Sequence, residues 1–281
     1  MLSIIVVTYN RKILLNECLN SILSQDFEGK FEVIIIDNGS CDGTEEFLKN
    51  IPERKIKFIS NKSRLDLASC KTLGINASSG EIIAFTDDDC RVAKDWLKTI
   101  ESSLVNRDVV GGPVLALPGT KFPRWWSDSL HWLIGINLKP NRKSLPLGSN
   151  IAFKKHALLK TEENKTSNSS INTLLPPYAE DNCRVKRALA CGFSMSINQK
   201  MTVYHHVPKE RLTIAYLIKR SYDEGVAWAG YEEKLSNLFF CLAALPYNLV
   251  RLLISLDMNR FFYLISNFSY ILNYIKKLLL K

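Results

Sequence analysis

The sequence lacks the features that mark several broad classes of protein. Its seven cysteines are scattered and include no Cys-x-x-Cys pair, which argues against a zinc site or a disulfide framework and favours reduced thiols. No aromatic-interleaved basic repeat and no zinc-finger spacing occur, so we expect no nucleic-acid partner. The first residues, Ser3 to Val7, form an apolar pattern without a basic region or a cleavage site. We therefore expect a cytoplasmic protein rather than a secreted one.

Long apolar runs are missing as well. The uncharged stretch at 235–250 is interrupted by Pro246, and it is shorter than the roughly 20 residues that a membrane-spanning helix needs. From residue 235 onward the only acidic side chain is Asp257. Residues 231–281 therefore predict an amphipathic helical segment that contacts the anionic inner face of the plasma membrane. Packing against the rest of the chain or against a second subunit, as in a homodimer, is the alternative.

The composition is that of a large globular chain with an excess of positive charge. At 281 residues, with 46% hydrophobic and 23% charged residues, the chain can bury a sizeable core. Its net charge of +9 arises from 37 Lys and Arg against 28 Asp and Glu. Such an excess favours anionic partners, among which nucleotides and acidic lipid surfaces rank first here.

Four short apolar runs recur in the first third of the chain, at residues 3–7, 32–36, 56–59 and 81–85. A helical pattern separates the first two runs, and a shorter one around 44–50 separates the second from the third. Runs that are continuously apolar and separated by helices indicate parallel strands covered on both faces. The sequence therefore predicts an α/β fold, Rossmann-like and nucleotide-binding, with a mostly parallel sheet.

Three consecutive carboxylates, Asp87, Asp88 and Asp89, directly follow the fourth run. Like charges this close repel one another, so we expect a cation among them. A site made only of oxygen atoms suits magnesium or manganese, and these ions commonly bridge carboxylates to the phosphates of a substrate. The alternative is an acidic turn in water, which the three residues alone do not exclude.

Other strand ends are polar too. Ligands of open parallel sheets bind outside the carboxyl ends of the strands, where the strand order reverses. Several polar ends in succession favour a ligand site over ordinary strand caps. These ends are Thr8-Tyr9-Asn10-Arg11, Asp37-Asn38-Gly39-Ser40 and Ser60-Asn61-Lys62.

A second acidic pair, Glu180 and Asp181, precedes a helix that we predict from about Asn182 to Ala190. Carboxylates at a helix N-terminus act as caps and as partners of the helix dipole, so a structural role accounts for this pair as well as a catalytic one does. The polar stretch at 162–173 predicts a loop before it.

Taken in order, these segments resemble the family 2 glycosyltransferases, which are inverting enzymes with the glycosyltransferase A-type fold. The likeness covers about residues 1–230 and keeps the order and the approximate spacing of the family's motifs. The matching segments are Val6 to Arg11, Ile36 to Ser40 with Asp42 to Thr44, Thr86 to Asp89, Gly148 to Phe153, Glu180-Asp181 and Val203 to His206.

The resemblance implies a division of labour along the chain. Residues 1–230 would form the catalytic domain, with a nucleotide-binding half at about 1–110 and an acceptor-binding half at about 111–230. Residues 231–281 would follow as the amphipathic segment that contacts the membrane. Contacts to the nucleotide-sugar donor would come from Thr8, Tyr9, Asn10, Arg11, Asp37, Lys71, Asp87 and Asp88.

The resemblance also implies a divalent metal, manganese or magnesium, that bridges the donor diphosphate. Asp89 and Asp87 would be its ligands. His205 occupies the place of a histidine that many relatives carry near the metal, and the neighbouring His206 leaves the choice between the two open.

For the chemical step, the resemblance implies that Asp181 is the catalytic base and that Glu180 orients the acceptor or the base. Gly148, Ser149 and Asn150 would lie under the sugar and the acceptor. One departure is Lys71-Thr72, where relatives often carry Arg-Asn, so a cation is kept but the guanidinium fork is lost.

The expected function is metal-dependent transfer of a sugar, UDP-linked in our expectation, to a hydroxyl of a glycan or lipid-linked glycan in surface polysaccharide synthesis. The processive relatives' chain of membrane helices is missing, so we expect one sugar per encounter. A nucleotidylyltransferase is one alternative, although the residues after the first strand, Thr8 to Lys12, contain no glycine. A non-catalytic scaffold with the same fold is another.

Overall fold

The computed structural model describes residues 1–141, 144–163, 180–231, most of 241–249, and 258–279. The predicted loop at 162–173 lies outside these residues except for its first two positions, as does much of the tail before residue 258. The strands are β1 (Leu2–Thr8), β2 (Phe31–Asp37), β3 (Ile56–Ser60), β4 (Ile82–Phe85), β5 (Cys90–Val92), β6 (Val109–Gly111), β7 (Val114–Ala116), β8 (Ile151–Lys154), β9 (Met195–Ile197) and β10 (Val203–His205). The α-helices are α1 (Lys12–Leu23), α2 (Thr44–Lys49), α3 (Leu67–Ala77), α4 (Trp96–Ser103), α5 (Lys155–Glu163), α6 (Glu180–Ala190), α7 (Ile214–Tyr231) and α8 (Met258–Leu279).

A seven-stranded sheet in the order β3-β2-β1-β4-β8-β6-β9 forms the centre of the fold. The four predicted strands are its parallel part, since β1 pairs in parallel with both β2 and β4, and β2 with β3. Only β8 runs against its neighbours β4 and β6. The prediction of an α/β fold with a mostly parallel sheet is confirmed.

Helices cover both faces of the parallel strands, as their continuous apolar runs require. Successive residues of β1 alternate between two hydrophobic clusters, with Ile4 in one and Ile5 in the other. The first cluster includes Leu15 from α1, and the second includes Ile75 from α3. Side chains of a strand point to opposite faces in turn, so neither face of such a strand can stay polar.

The strand order creates the crevice that the sequence predicts. The chain passes from β1 to β2 on one side and later returns through α3 to β4 on the other side of β1. In open sheets, ligands bind where the order reverses in this way. The carboxyl ends of β1 and β4 therefore mark the candidate site.

A second sheet has three strands in the order β5-β10-β7, and β5 directly follows the acidic run. β10 pairs antiparallel with β5, and His205 lies opposite Cys90 in the register. This pairing brings a segment from beyond residue 200 next to the residues that follow β4.

The described residues fall into two compact units. The first contains both sheets, and the second contains α7, α8 and the 3-10 helices Asp128–Ile134 and Lys209–Leu212. α7 extends to Tyr231, one residue past the end predicted for the catalytic domain. The division of that domain into a nucleotide-binding and an acceptor-binding half stays a prediction.

Within the second unit, α7 and α8 pack closely. A side chain at Gly225 would overlap the carbonyl oxygen of Ser266, and Ser269 Oγ donates to the carbonyl oxygen of Tyr222 at 2.9 Å. Trp132 stacks on Tyr263 with ring centroids 5.1 Å apart. The predicted C-terminal helix is present as α8, and no helix in the described part of the chain combines the length and the apolar character that crossing a bilayer requires.

Candidate active site

The ends of β1 and β4 meet through side chains. Thr8 Oγ1 donates a hydrogen bond of 2.8 Å to Asp88 Oδ2. Arg11, which directly precedes α1, places its guanidinium 2.9 Å from Asp88 Oδ1 and 3.0 Å from Asp89 Oδ2. Thr8, Arg11, Asp88 and Asp89, predicted from separate strand ends, therefore share one site.

The acidic run carries more negative charge than Arg11 balances. Burial raises the pKa of Asp88 to about 6, and the charge of Asp89 adds to this effect, while Arg11 and the hydrogen bond from Thr8 oppose it. Burial and Asp89 also raise the pKa of Asp87, against the attraction of Lys71, His205 and Arg11. Burial and the neighbouring carboxylates thus disfavour the charged forms of Asp87 and Asp88, and a cation held among them would favour those forms.

The ligand atoms at this position fit a hard divalent ion. A carboxylate oxygen from each of Asp87 and Asp89 and the sulfur of Cys90 lie within 4.8 Å of one another. Burial raises the pKa of the Cys90 thiol well above its ordinary value, so it stays protonated. The carboxylate oxygens are the ligands left, and they suit magnesium or manganese.

Of the two neighbouring histidines, His205 brings its ring to the acidic run. Its Nε2 lies 3.4 Å from Asp89 Oδ1, and its side chain is buried. The backbone N–H of His206 donates to the carbonyl oxygen of Asp89 at 2.8 Å. The antiparallel register of β10 with β5 produces both contacts.

Asn10 joins the loops that follow β1 and β2. It adopts a left-handed backbone conformation with φ of 52°, which Asn tolerates better than most residues. Its N–H donates to Ser40 Oγ at 2.9 Å, and its Oδ1 accepts from the N–H of Cys41 at 2.7 Å. Asp37, fully buried at the end of β2, accepts the N–H of Ser40 at 3.1 Å. These contacts fix one wall of the crevice.

Tyr9 lies at the exposed rim of the same wall. The guanidinium of Arg64 sits over its ring, 4.2 Å from the centroid. Arg64 follows β3, so the pair links the ends of β1 and β3. The aromatic face and the cation are both available near the water-facing side of the crevice, since Tyr9 is about a third exposed and Arg64 is exposed.

The second acidic pair is buried in the first turn of α6. The helix includes Glu180 and Asp181, so it begins earlier than the predicted Asn182. Lys71, from α3, donates to both carboxylate oxygens of Asp181, at 2.6 and 2.7 Å. Glu180, the residue before it, is also buried. Lys71 therefore faces the proposed base, a contact that the sequence did not suggest.

Gly148 lies against the carboxylate of Asp181. A Cβ at position 148 would overlap Oδ2 of that carboxylate, so glycine is required for this approach. Ser149 is buried. Asn150 uses its amide inside the fold, accepting from Trp96 Nε1 at 2.9 Å and donating to the carbonyl oxygens of Pro113 and Met201 at 2.9 and 2.6 Å.

Two charged residues near Asp181 were not found from the sequence. Arg184 Nη1 lies 3.6 Å from Asp181 Oδ1, and Arg184 Nε donates to Glu162 Oε1 at 2.8 Å. The spacing of Asp181 and Arg184 on one helix, three residues apart, is the signal that could have revealed the first contact. Glu162 gave no such signal, because it belongs to a different helix.

The chain is similar in sequence to known glycosyltransferases. The sequence profile described as "Glycosyl transferase family 2" matches residues 3–162. The chain is 33% identical to Glycosyltransferase AglE of Haloferax volcanii over 117 residues, which is 40% of this chain and only 38% of AglE. It is 22% identical to the glucosyl-dolichyl phosphate glucuronosyltransferase of the same organism over 250 residues, covering 85% of this chain and 78% of that protein.

A solved structure shows the same fold. The mannosyltransferase PcManGT from Pyrobaculum calidifontis, in complex with GDP-Man and Mn2+, superposes with a TM-score of 0.63 at 20% identity, covering 100% of this chain and 87% of that one. The A-type fold expected from the sequence is thereby confirmed. Because the family profile matches more than half of the 281 residues, the chain belongs to glycosyl transferase family 2.

Proposed function

We propose that this protein transfers a sugar, with inversion, from a nucleotide-diphosphate sugar to a hydroxyl of a lipid-linked glycan, and that it requires a divalent metal. One observation carries the proposal. The crevice between β1 and β4 holds an acidic run short of positive charge, while a separate buried carboxylate, Asp181, lies against Gly148. A metal-diphosphate site and a base for the acceptor need two such carboxylate sites with different surroundings.

On the donor side, the nucleotide would lie along the wall formed by Thr8 to Arg11 and Asp37. Asp88 would face the ribose, and Arg11 would turn from Asp88 and Asp89 toward the incoming phosphates. Uracil is the base that we propose. Guanine is the alternative to test, because the structural neighbour PcManGT was solved with GDP-Man.

Asp89 and Asp87 would hold the metal, with His205 beside them, and manganese or magnesium fits their oxygen ligands. A divalent ion bound there would stabilise the negative charge that develops on the leaving diphosphate. The buried position of Asp89 keeps water from weakening that attraction.

In the transfer step, the acceptor hydroxyl would attack the anomeric carbon on the face opposite the diphosphate. The bond from that carbon to the diphosphate oxygen breaks as the new glycosidic bond forms, and Asp181 takes the proton of the hydroxyl. The absence of a side chain at Gly148 lets the Asp181 carboxylate lie directly against the backbone there. Glu180 would orient the acceptor or the base.

The acceptor would be presented at the inner face of the plasma membrane. A relative acts on glucosyl-dolichyl phosphate by its name, which supports a lipid-linked acceptor here. α8 exposes Phe268, Leu272 and Ile275, and their spacing places them on one side of the helix. This stripe, with the basic character of the tail, supports peripheral membrane contact.

The membrane contact can be tested with point variants. Phe268→Glu and Leu272→Glu together should lower the fraction of protein that sediments with liposomes of anionic phospholipid, because each inserts a charge into the proposed contact face. Val105→Glu, at a 70% exposed apolar residue of the first unit, is the matched control. Equal sedimentation of the two variants would show that α8 does not make this contact.

The transferase reaction itself is tested by a screen of UDP-, GDP- and dTDP-sugars with manganese present. We expect slow hydrolysis of one donor, with release of free nucleoside diphosphate and loss of the reaction when manganese is chelated. Release of pyrophosphate instead would identify a nucleotidylyltransferase. Hydrolysis at the same rate without metal would remove the metal from the proposal.

A further inference from the structure

A chain of four buried or nearly buried charges surrounds the proposed base. It runs from Lys71 to Asp181, on to Arg184, and then to Glu162, with the successive pairs 2.6, 3.6 and 2.8 Å apart. The members come from three helices, α3, α6 and α5. Charges alternate in sign along it, as buried charges must when no water compensates them.

Arg184 is a member of this chain of charges that has no part in the proposed transfer step. Its side chain is only 1% exposed, although arginine is almost never fully buried unless it is paired. Its position three residues after Asp181 puts the guanidinium on the same side of α6 as the carboxylate. The guanidinium also lies over the ring of Phe85, 5.6 Å from the centroid. Phe85 is the last residue of β4, directly before Thr86 and the acidic run.

Glu162 holds Arg184 in this orientation. Its Oε1 accepts from Nε, so the Nη1 side of the guanidinium remains turned toward Asp181. Arg187, one turn further along α6, lies 4.0 Å from the same oxygen of Glu162 and is 21% exposed. It has water to compensate its charge, which Arg184 lacks.

We propose that Arg184, anchored by Glu162, is a positioning residue that orients the carboxylate of Asp181 and keeps it ionised and ready to accept the acceptor's proton. The inference rests on the proposed role of Asp181 as the base. Lys71 alone could keep Asp181 ionised, but it bonds both oxygens, at 2.6 and 2.7 Å, and so takes one acceptor position on each. A second cation, 3.6 Å from Oδ1, lets Lys71 turn away without leaving a buried, unpaired charge.

The charged groups around Asp181 set the pH at which its carboxylate takes up a proton, which is what a pH profile of the reaction would measure. Those whose contacts are described are Lys71 from α3 and Arg184 from α6, with Glu162 from α5 next to Arg184, and the buried Glu180 precedes Asp181 in the chain. A cation near a carboxylate favours its charged form. Removing the Arg184 cation should therefore raise the pH at which Asp181 becomes able to accept a proton.

The experiment measures manganese-dependent hydrolysis of the best sugar nucleotide from the donor screen, with water as acceptor, between about pH 3.5 and 9, so that the protonation of a carboxylate paired with cations falls inside the range. In Arg184→Gln the acid limb of the kcat profile should move to higher pH by about one unit, and kcat should fall about 10- to 100-fold. Arg184→Lys, which keeps the charge, should show a smaller shift. Glu162→Gln should lower kcat about tenfold without moving the limb to higher pH.

Arg187→Gln is the matched control, because it removes an arginine from the same helix whose described ion pair is with Glu162 and not with Asp181. Its pH profile should coincide with that of the parent protein. Thermal unfolding should show all variants folded at the assay temperature, and calorimetry with UDP or GDP and manganese should give dissociation constants within about twofold of the parent's. If the acid limb of Arg184→Gln lies at the same pH as that of Arg187→Gln, the proposal is overturned.

Failure of the base assignment is recognised separately. If Asp181→Asn retains the parental rate, the proposed function of Asp181 is wrong, whatever the arginine variants do. If Asp181→Asn abolishes hydrolysis and Arg184→Gln leaves the acid limb in place, only the positioning role falls.

Discussion

The two carboxylate sites of the first unit differ in how their charge is balanced. At the end of β4, Asp87, Asp88 and Asp89 share Arg11, and burial raises the pKa of Asp87 and Asp88. In α6, Asp181 lies between Lys71 and Arg184. The first site is short of positive charge and is suited to taking up a metal ion with its phosphates. The second is supplied with positive charge by the protein and is suited to keeping one carboxylate ionised.

The largest effect that separates the two sites is expected from Asp181→Asn. Loss of a general base costs about 10²- to 10⁴-fold in rate, and we expect sugar transfer to fall by that factor. Calorimetry with UDP and manganese should give an unchanged affinity, because the metal site does not involve Asp181. Equal losses of rate and of nucleotide affinity would show that the two sites are not functionally distinct.

Asp89→Ala should have the reverse pattern. Manganese should no longer strengthen UDP binding, and the metal-dependent part of the affinity should drop by at least about tenfold. The same titration without metal should change little. Asp95→Ala, at an exposed aspartate whose side chain makes no cap hydrogen bond, is the control. Retention of the full manganese effect in Asp89→Ala would remove this residue from the metal site.

Gly148→Ala tests the contact between the glycine and the base through stability. The new methyl group overlaps the Asp181 carboxylate, so we expect the free energy of unfolding to fall by about 1–3 kcal/mol. In an Asp181→Ala background the obstacle is gone, and the cost should become smaller. Denaturant unfolding of the four proteins of this cycle measures the coupling. Additive costs would mean that the overlap does not occur.

The smallest expected effect is a pH-dependent change in the stability of the metal-free protein. The folded pKa of Asp88 is about 6, above its ordinary value of 3.8, so the folded state binds more protons between these values and loses stability as pH rises through them. Asp88→Asn should therefore be more stable than the parent at pH 7, by about 1–3 kcal/mol. At pH 3, below the ordinary value, the difference should vanish.

Glu32 is a carboxylate whose pKa is shifted in the opposite direction, so it serves as the comparison for this measurement. It is buried, which opposes ionisation, but hydrogen bonds from Lys57, Ser3 and Ser79 hold its pKa below the ordinary value. Its contribution to stability is present above the unfolded pKa and is lost as pH falls through the folded one. Glu32→Gln should therefore destabilise the protein at pH 7 and less so at pH 3. The same sign for Asp88→Asn would contradict the unbalanced charge of the acidic run.

Some features of the fold could be predicted because their signals are local. The parallel strands are read from continuous apolar runs of four or more residues, and α1 from the spacing of Leu15, Leu19 and Ile22. The strands β5, β7 and β10 of the second sheet have three residues each, too few for a period to be recognised. The second sheet escaped prediction for this reason.

The residues of the candidate site also differ in whether a local signal in the sequence reveals them. Thr8, Arg11, Asp88 and Asp89 are predictable because strand ends in a parallel sheet converge on one edge. The partner of Asp181 is not, since Lys71 is 110 positions away and reaches it only through the packing of α3 against α6. Asn150 was expected near the sugar, yet its amide is used inside the fold by Trp96 and two carbonyl oxygens.

The family, the parallel half of the sheet and the acidic run at its carboxyl edge can all be recognised in the amino-acid sequence. These features depend on residue type and short spacing, which are visible without coordinates. The burial that disfavours the charges of Asp87 and Asp88, and the two cations beside Asp181, become visible only in the folded chain. The balance of charge around a carboxylate depends on distances between residues far apart in the chain, and folding alone sets those distances.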